Sequence, residues 1–113
     1  MMNNWTDTLT NLRKAAGAFA EANPPVVGAY RGLNEALGKG QALDAKTREL
    51  IALAVAVTTR CDGCISSHAA AAQQAGATAE EVAEALGTAV ALNAGAAYVY
   101  SVRALEAFGQ FQR

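Results

Sequence analysis

Apolar residues in this chain recur three and four positions apart and nowhere alternate convincingly over the length of a strand, so the pattern predicts helices throughout. In residues 5–22, Trp5, Leu9, Leu12, Ala16, Phe19 and Ala20 fall on one stripe. Pro24 and Pro25 break that helix and suit the first turn of the next, whose stripe carries Val27, Tyr30, Leu33 and Leu37 before Gly38 and Gly40 end it. Asp44 is placed to cap a third helix, DAKTRELIALAVAVTTR, which is apolar almost all round and is therefore expected to lie buried. A fourth, CDGCISSHAAAAQQA, closes at Gly76 in the position after the C-cap. Thr78 and Glu81 have capping-box spacing and open a stretch running through Leu86 and Val90. Asn93 to Gly95 is expected to bend or split that stretch, leaving a last helix from about Ala96 to Phe108 with Val99, Val102, Leu105 and Phe108 on one side. The expectation is an all-α fold of about six helices.

At 113 residues the chain suits one domain over 1–113, and an apolar fraction of 52% is too high for a disordered segment. Much of that fraction is alanine, which buries little area per residue, so a monomer would have a thin core and is expected to oligomerise through helix faces. Nine basic side chains balance ten acidic ones, and no Lys/Arg cluster is interleaved with aromatics, which argues against a nucleic-acid partner. The first residues, MMNNWTDTLTNLRK, lack the basic-then-apolar pattern of a secretory signal. No apolar run approaches the roughly 18 to 20 residues of a membrane span. A cytoplasmic protein with no membrane partner is expected. In that reducing compartment a closely spaced cysteine pair is more often catalytic or metal-binding than a structural crosslink.

The chemistry gathers in Glu49–His68, ELIALAVAVTTRCDGCISSH, which contains both cysteines and the only histidine. At about 100° per residue Cys61, Cys64 and His68 share one narrow helical face. Residues three apart in a first helical turn lie roughly 5 to 5.5 Å apart at Cα, within the range a disulfide tolerates. A thioredoxin-type reading needs a strand before the Cys-x-x-Cys, and here a helix precedes it. As zinc ligands, Cys61, Cys64 and His68 would have Glu49 as a possible fourth, but structural zinc sites draw on a second Cys or His pair, and none exists. Inert buried thiols would not call for a histidine one turn away.

Redox chemistry requires a thiolate. A helix N-terminus lowers a thiol from about 8.5 by around one unit at most, so a base is needed. His68, one turn after Cys64, is placed to accept its proton. Glu49 would orient the imidazole if its helix packs alongside; otherwise it pairs with Arg48, Arg60 or another surface cation. Tyr30, Tyr98 and Tyr100 could line a substrate channel, but aromatics at helical spacing more often belong to the core, and they are given no role.

Glu49, eleven intervening residues, Cys61-Asp62-Gly63-Cys64, three residues and His68 together resemble the motif of the AhpD-like alkylhydroperoxidases within the carboxymuconolactone decarboxylase family. The flanks RELIALAVAV and HAAAAQQAGATAEEVAEAL are similar to that family's core, and the likeness spans about 43–108, with N-terminal helices over 5–38. The resemblance implies an all-helical AhpD-like domain, assembled as a homo-trimer or homo-hexamer with the site near subunit contacts. It implies an antioxidant peroxidase, peroxiredoxin-like in activity, with Cys64 attacking the peroxide, Cys61 resolving the sulfenic acid into a redox-active disulfide, and His68 with Glu49 relaying the proton. The implied partners are a peroxide substrate and an external dithiol or disulfide reductant, with no bound organic cofactor. The alternative is a thiol–disulfide adaptor or redox sensor passing electrons to a partner peroxidase. Two points depart from the pattern or qualify it. Some peroxidatic relatives carry histidine where Gly63 stands, and the helix dipole by itself favours a thiolate at Cys61. Decarboxylases of the superfamily generally lack the thiol pair, which argues against lactone chemistry.

Overall fold

In the computed structural model, which describes residues 2–112, the chain forms five helices, and no strand occurs among the described residues. α1 (Trp5–Ala22) starts where the Asn4 side chain accepts the Asp7 N–H at 3.1 Å, and α2 (Pro24–Leu37) starts directly on its two prolines, whose missing N–H groups would have had no partner in a first turn. α3 (Ala45–Thr59) is capped by Asp44, whose carboxylate accepts the Thr47 N–H at 2.8 Å. α4 (Asp62–Gln74) ends in a Schellman turn: Gly76 adopts φ +85°, its N–H bonds the Gln73 carbonyl, and the Ala77 N–H reaches back to Ala72. α5 (Ala79–Phe111) opens on a complete capping box between Thr78 and Glu81.

α3 is the hub. It packs against both α4 and α5, α1 packs on α4 and α2, and no other pair of these helices touches. The buried side chains are few and small: Leu53 and Ala56 of α3, Ser66 and Ala72 of α4, and Ala89 of α5. Alanines at the crossings let helices approach closely but bury little area, so the core is thin for physical reasons already visible in the composition.

Three expectations need correction. α3 was expected to be buried on nearly all sides, yet Ile51 and Val55 are 50% and 56% exposed, because only two neighbours cover this helix. The split at Asn93–Gly95 does not occur, and five helices stand where about six were expected. The Asn93 amide donates to the Ala89 carbonyl at 2.7 Å and across to Thr58 Oγ1 at 2.9 Å, so it joins α5 to α3 and does not compete with its own backbone. Gly95 alone costs such a helix only about 1 kcal/mol, too little to stop a run of good helix formers on either side. Contrary to the expectation of no such run, α5 is long and apolar enough by length and composition to cross a bilayer; only 6% of that window is buried.

α5 is about 50 Å long against about 22 Å for α3, so its second half extends past its only partner. Tyr98, Val102, Leu105 and Phe108 there are all more than 60% exposed, as are Tyr30 and Leu33 on α2. The radius of gyration is 18.4 Å, where a compact chain of this length would have about 13 Å.

Lys46 Nζ meets Glu81 Oε2 at 2.8 Å and ties the first turn of α3 to that of α5. The bond from Lys46, with the backbone bond from Thr78, holds the Glu81 carboxyl below the usual carboxylate range; hydrogen bonds from Thr47 do the same for Asp44, and Glu81 raises Lys46. Depressed carboxylates contribute stability at neutral pH that is lost as pH falls through their folded values, whereas the raised lysine gives up its share only in strong alkali. Thermal melts between pH 3 and 7 are therefore expected to show an acid limb below about pH 4, and Glu81→Gln to flatten it. An acid limb identical in the variant would contradict the assignment.

Candidate functional site

α3 stops because Arg60 turns into the left-handed region, φ 56°, ψ 49°, and the chain re-enters extended geometry at Cys61, the N-cap of α4. In that position Cys61 Sγ takes the role usually played by a hydroxyl or carboxylate oxygen, accepting the Cys64 N–H at 3.1 Å. Cys64 is the third residue of the helix and His68 lies one turn further on. The two cysteines are joined as a disulfide with their Cα atoms 5.2 Å apart, and both residues are half-buried.

The middle of the Cys-x-x-Cys turn is closed from above by α1. A Cβ added at Gly63 would come within 2.9 Å of Leu12 Cδ2, so the space a side chain would need at this position is held by a leucine from the N-terminal helix. The Leu12–Gly63 contact was not foreseen; the small residue between the cysteines was its only trace in the sequence.

Glu49 and His68 come together across the α3–α4 contact, His68 Nδ1 lying 2.7 Å from Glu49 Oε2 with side chains 36% and 24% exposed. Arg48 and Arg60, the other candidate partners for Glu49, form no ion pair with it. The register explains this: Glu49, Leu53 and Ala56 lie on the face of α3 that carries its two buried residues, which places the carboxylate beside α4. A carboxylate only accepts, so Nδ1 carries the ring proton, and the lone pair of the neutral imidazole is left on Nε2.

An open groove of about 420 Å³ reaches His68. Leu37, Leu43, Ile51 and Val55 form its apolar walls, and Cys64 and His68 lie at its α4 side; Cys61 does not line it. Arg48 also lines the groove, its Nη1 donating to the Leu43 carbonyl at 2.6 Å and to Gly40 at 3.4 Å. Sequence reasoning treated Arg48 only as a possible partner for Glu49. The signal was its register with Ala52, Val55 and Thr59, a stripe one residue round from the packed face.

The tyrosines, expected in the core, are instead 64% (Tyr30), 78% (Tyr98) and 65% (Tyr100) exposed and none lines the groove; on the projecting half of α5 the Arg103 guanidinium stacks 4.9 Å over the Tyr100 ring. No three His, Cys, Asp or Glu side chains among the described residues are grouped to hold a metal ion, and the thiols a zinc site would need are joined to each other.

A five-helix arrangement with a Cys-x-x-Cys at a helix start and a Glu–His pair behind it meets its class in the comparisons. The profile of the carboxymuconolactone decarboxylase family matches residues 24–107, and the chain belongs to that family. A crystal structure of a family member from Legionella pneumophila, solved without ligand, superposes with a TM-score of 0.74 at 36% identity over 96% of this chain and 97% of that one. A protein from Methanobacterium thermoautotrophicum matches with a TM-score of 0.70 at 34% identity, covering 75% of this chain and 96% of that one. Among sequences, an uncharacterised protein of Haemophilus influenzae is 56% identical over 108 residues, 96% of each chain. Uncharacterised protein 4 of the cox locus of Paracoccus denitrificans is 38% identical over 91 residues, 80% of this chain and 82% of its own.

Nitrogen-15 NMR of the neutral ring is expected to find the His68 proton on Nδ1, and Glu49→Leu to admit the Nε2–H form. The same tautomer mixture in both proteins would show that Glu49 does not set it.

Proposed function

We propose that this protein is a thiol-dependent peroxidase that reduces hydroperoxides at Cys64. The observation that carries this reading is that Cys64 and His68 line one groove while Cys61 does not, with Glu49 fixing the imidazole from behind. In the reduced protein His68 Nε2 takes the Cys64 proton. The thiolate attacks the outer peroxide oxygen, the O–O bond breaks, the alcohol leaves with the proton returned through His68, and Cys64 becomes a sulfenic acid. Cys61, three residues away and already within disulfide reach, displaces hydroxide from that sulfur as water, giving the disulfide present in the structure. An external dithiol then reduces the pair by exchange and is itself oxidised. Cys61 enjoys the helix start, but Cys64 has the base and the substrate space, and these favour Cys64 as the attacking sulfur.

A second reading, a disulfide adaptor feeding electrons to a partner peroxidase, draws on the half-buried disulfide at the helix N-terminus, a position open to exchange. A peroxide-consumption assay with a dithiol donor separates the two. Cys64→Ser is expected to abolish turnover, and Cys61→Ser to leave one burst and a sulfenic acid trapped on Cys64. Peroxide rates no faster than free cysteine, together with rapid disulfide exchange, would favour the adaptor, and sulfenic acid on Cys61 would exchange the two roles.

The protein is further proposed to work in the cytoplasm as a homo-trimer or homo-hexamer. Its accessible surface is 8890 Å², against roughly 5,800 Å² for a compact monomer of this mass. The surplus is several times the roughly 800 Å² per partner that a stable interface buries. The projecting apolar faces of α2 and α5 are the surfaces to cover. Sedimentation without detergent is expected to show a discrete trimer or hexamer and Leu105→Arg to dissociate it. A monodisperse monomer, or a protein soluble only in detergent, would count against this assembly.

A further inference from the structure

Resting on the peroxidase reading, the groove beside Cys64 also carries information about the substrate. Its walls are hydrocarbon, from Leu37, Leu43, Ile51 and Val55, and such walls alone would take any apolar hydroperoxide. Arg48 breaks that neutrality. It is half-buried, and its guanidinium is held in place where Nη1 donates to the Leu43 and Gly40 carbonyls. Those two bonds use two of the five N–H donors of the side chain, and among the described residues Nε and Nη2 have no protein acceptor.

Among the described residues no carboxylate lies within ion-pair distance of Arg48, and Asp44 feels its charge only at longer range. Glu49, next to it in sequence, is turned onto His68, and Asp44 spends Oδ1 on the Thr47 N–H at 2.8 Å. A half-buried guanidinium that is fixed in place, without a direct ion pair and set into an apolar wall favours an anion there, and a carboxylate meets its fork of donors best. Arg48 and His68 stand on different helices of the same groove, so one elongated ligand can touch both.

We infer that the groove binds amphiphilic carboxylates, with Arg48 holding the carboxylate and the apolar walls holding the hydrocarbon, and that the preferred substrates are hydroperoxides of aliphatic carboxylic acids in place of neutral hydroperoxides or hydrogen peroxide. Arg48 is a specificity residue in this account, and it takes no part in the proton and sulfur chemistry.

Binding is tested first with unreactive probes, on the oxidised full-length protein. NMR titration with decanoate is expected to shift the amides of Ile51, Val55 and Cys64, with methyl decanoate at least about tenfold weaker, the discrimination expected of a charge-assisted hydrogen bond in a half-exposed site. Arg48→Gln is expected to remove that preference and leave the ester unchanged, and Arg48→Lys, which keeps the charge and can hold the loop, to restore part of it. Turnover is then compared between a fatty-acid hydroperoxide and its methyl ester: KM for the acid is expected to rise about tenfold in Arg48→Gln, while kcat and the ester's KM stay put.

Decanoate binding that depends on Arg48 in a protein that consumes no peroxide would retain the site and remove the peroxidase reading. Equal binding of acid and ester by the wild-type protein, or equal losses for both in Arg48→Gln, would overturn the inference. So would a groove that gives no shifts because a second copy fills it, shown by decanoate binding appearing only when Leu105→Arg dissociates the assembly.

Discussion

The bond between Glu49 and His68 is where fold and chemistry meet. It crosses from α3 to α4, the two helices that share most of the buried side chains, at 2.7 Å and only partly exposed to water. A carboxylate in that position removes the choice of ring tautomer: one nitrogen is committed to α3 and the other keeps its lone pair. If α3 rolled by one residue, Glu49 would leave the packed face and Arg48 would enter it. The register of an alanine-rich helix contact therefore sets which charge stands behind the histidine and which lines the groove.

Around that contact the chain is unusually open. Its core consists of a leucine, a serine and three alanines, while the larger apolar side chains stand on α2 and on the free half of α5. A lone copy gives up much of the burial that would stabilise a domain of this size. The redox turn is better protected than the arms. Cys61 caps its helix, Leu12 covers Gly63, and buried Ser66 closes a bond to the Gly63 carbonyl at 2.9 Å. Structure is thus concentrated around the disulfide turn.

Local signals in the sequence were sufficient for the helix starts and ends. Asp44, Thr78 with Glu81, the prolines at 24 and 25 and Gly76 all act through bonds within a few residues of themselves, so they could be read without the fold. The meeting of Glu49 with His68 was legible only as a condition, that α3 lies beside α4, because no local rule fixes a distance across nineteen residues. Asn93 misled for a related reason: an asparagine two residues before a glycine reads as a break until Thr58 of another helix is there to receive its amide. The exposure of Ile51 and Val55 escaped the pattern because hydrophobicity marks a surface to be covered and is silent on whether the same chain covers it. The role of Arg48 in the groove needed both: the register was in the sequence, and the empty space beside it was not.

The central claim is that an imidazole oriented by Glu49 makes a thiolate of Cys64. With the disulfide reduced, alkylation of each cysteine by iodoacetamide can be followed against pH by mass spectrometry in the wild-type protein and in His68→Ala. The account predicts that Cys64 reacts as a thiolate well below the free-thiol value of about 8.5, and that removing the imidazole returns it towards that value. Two cysteines that titrate alike, or a Cys64 profile unmoved by the loss of His68, would contradict it.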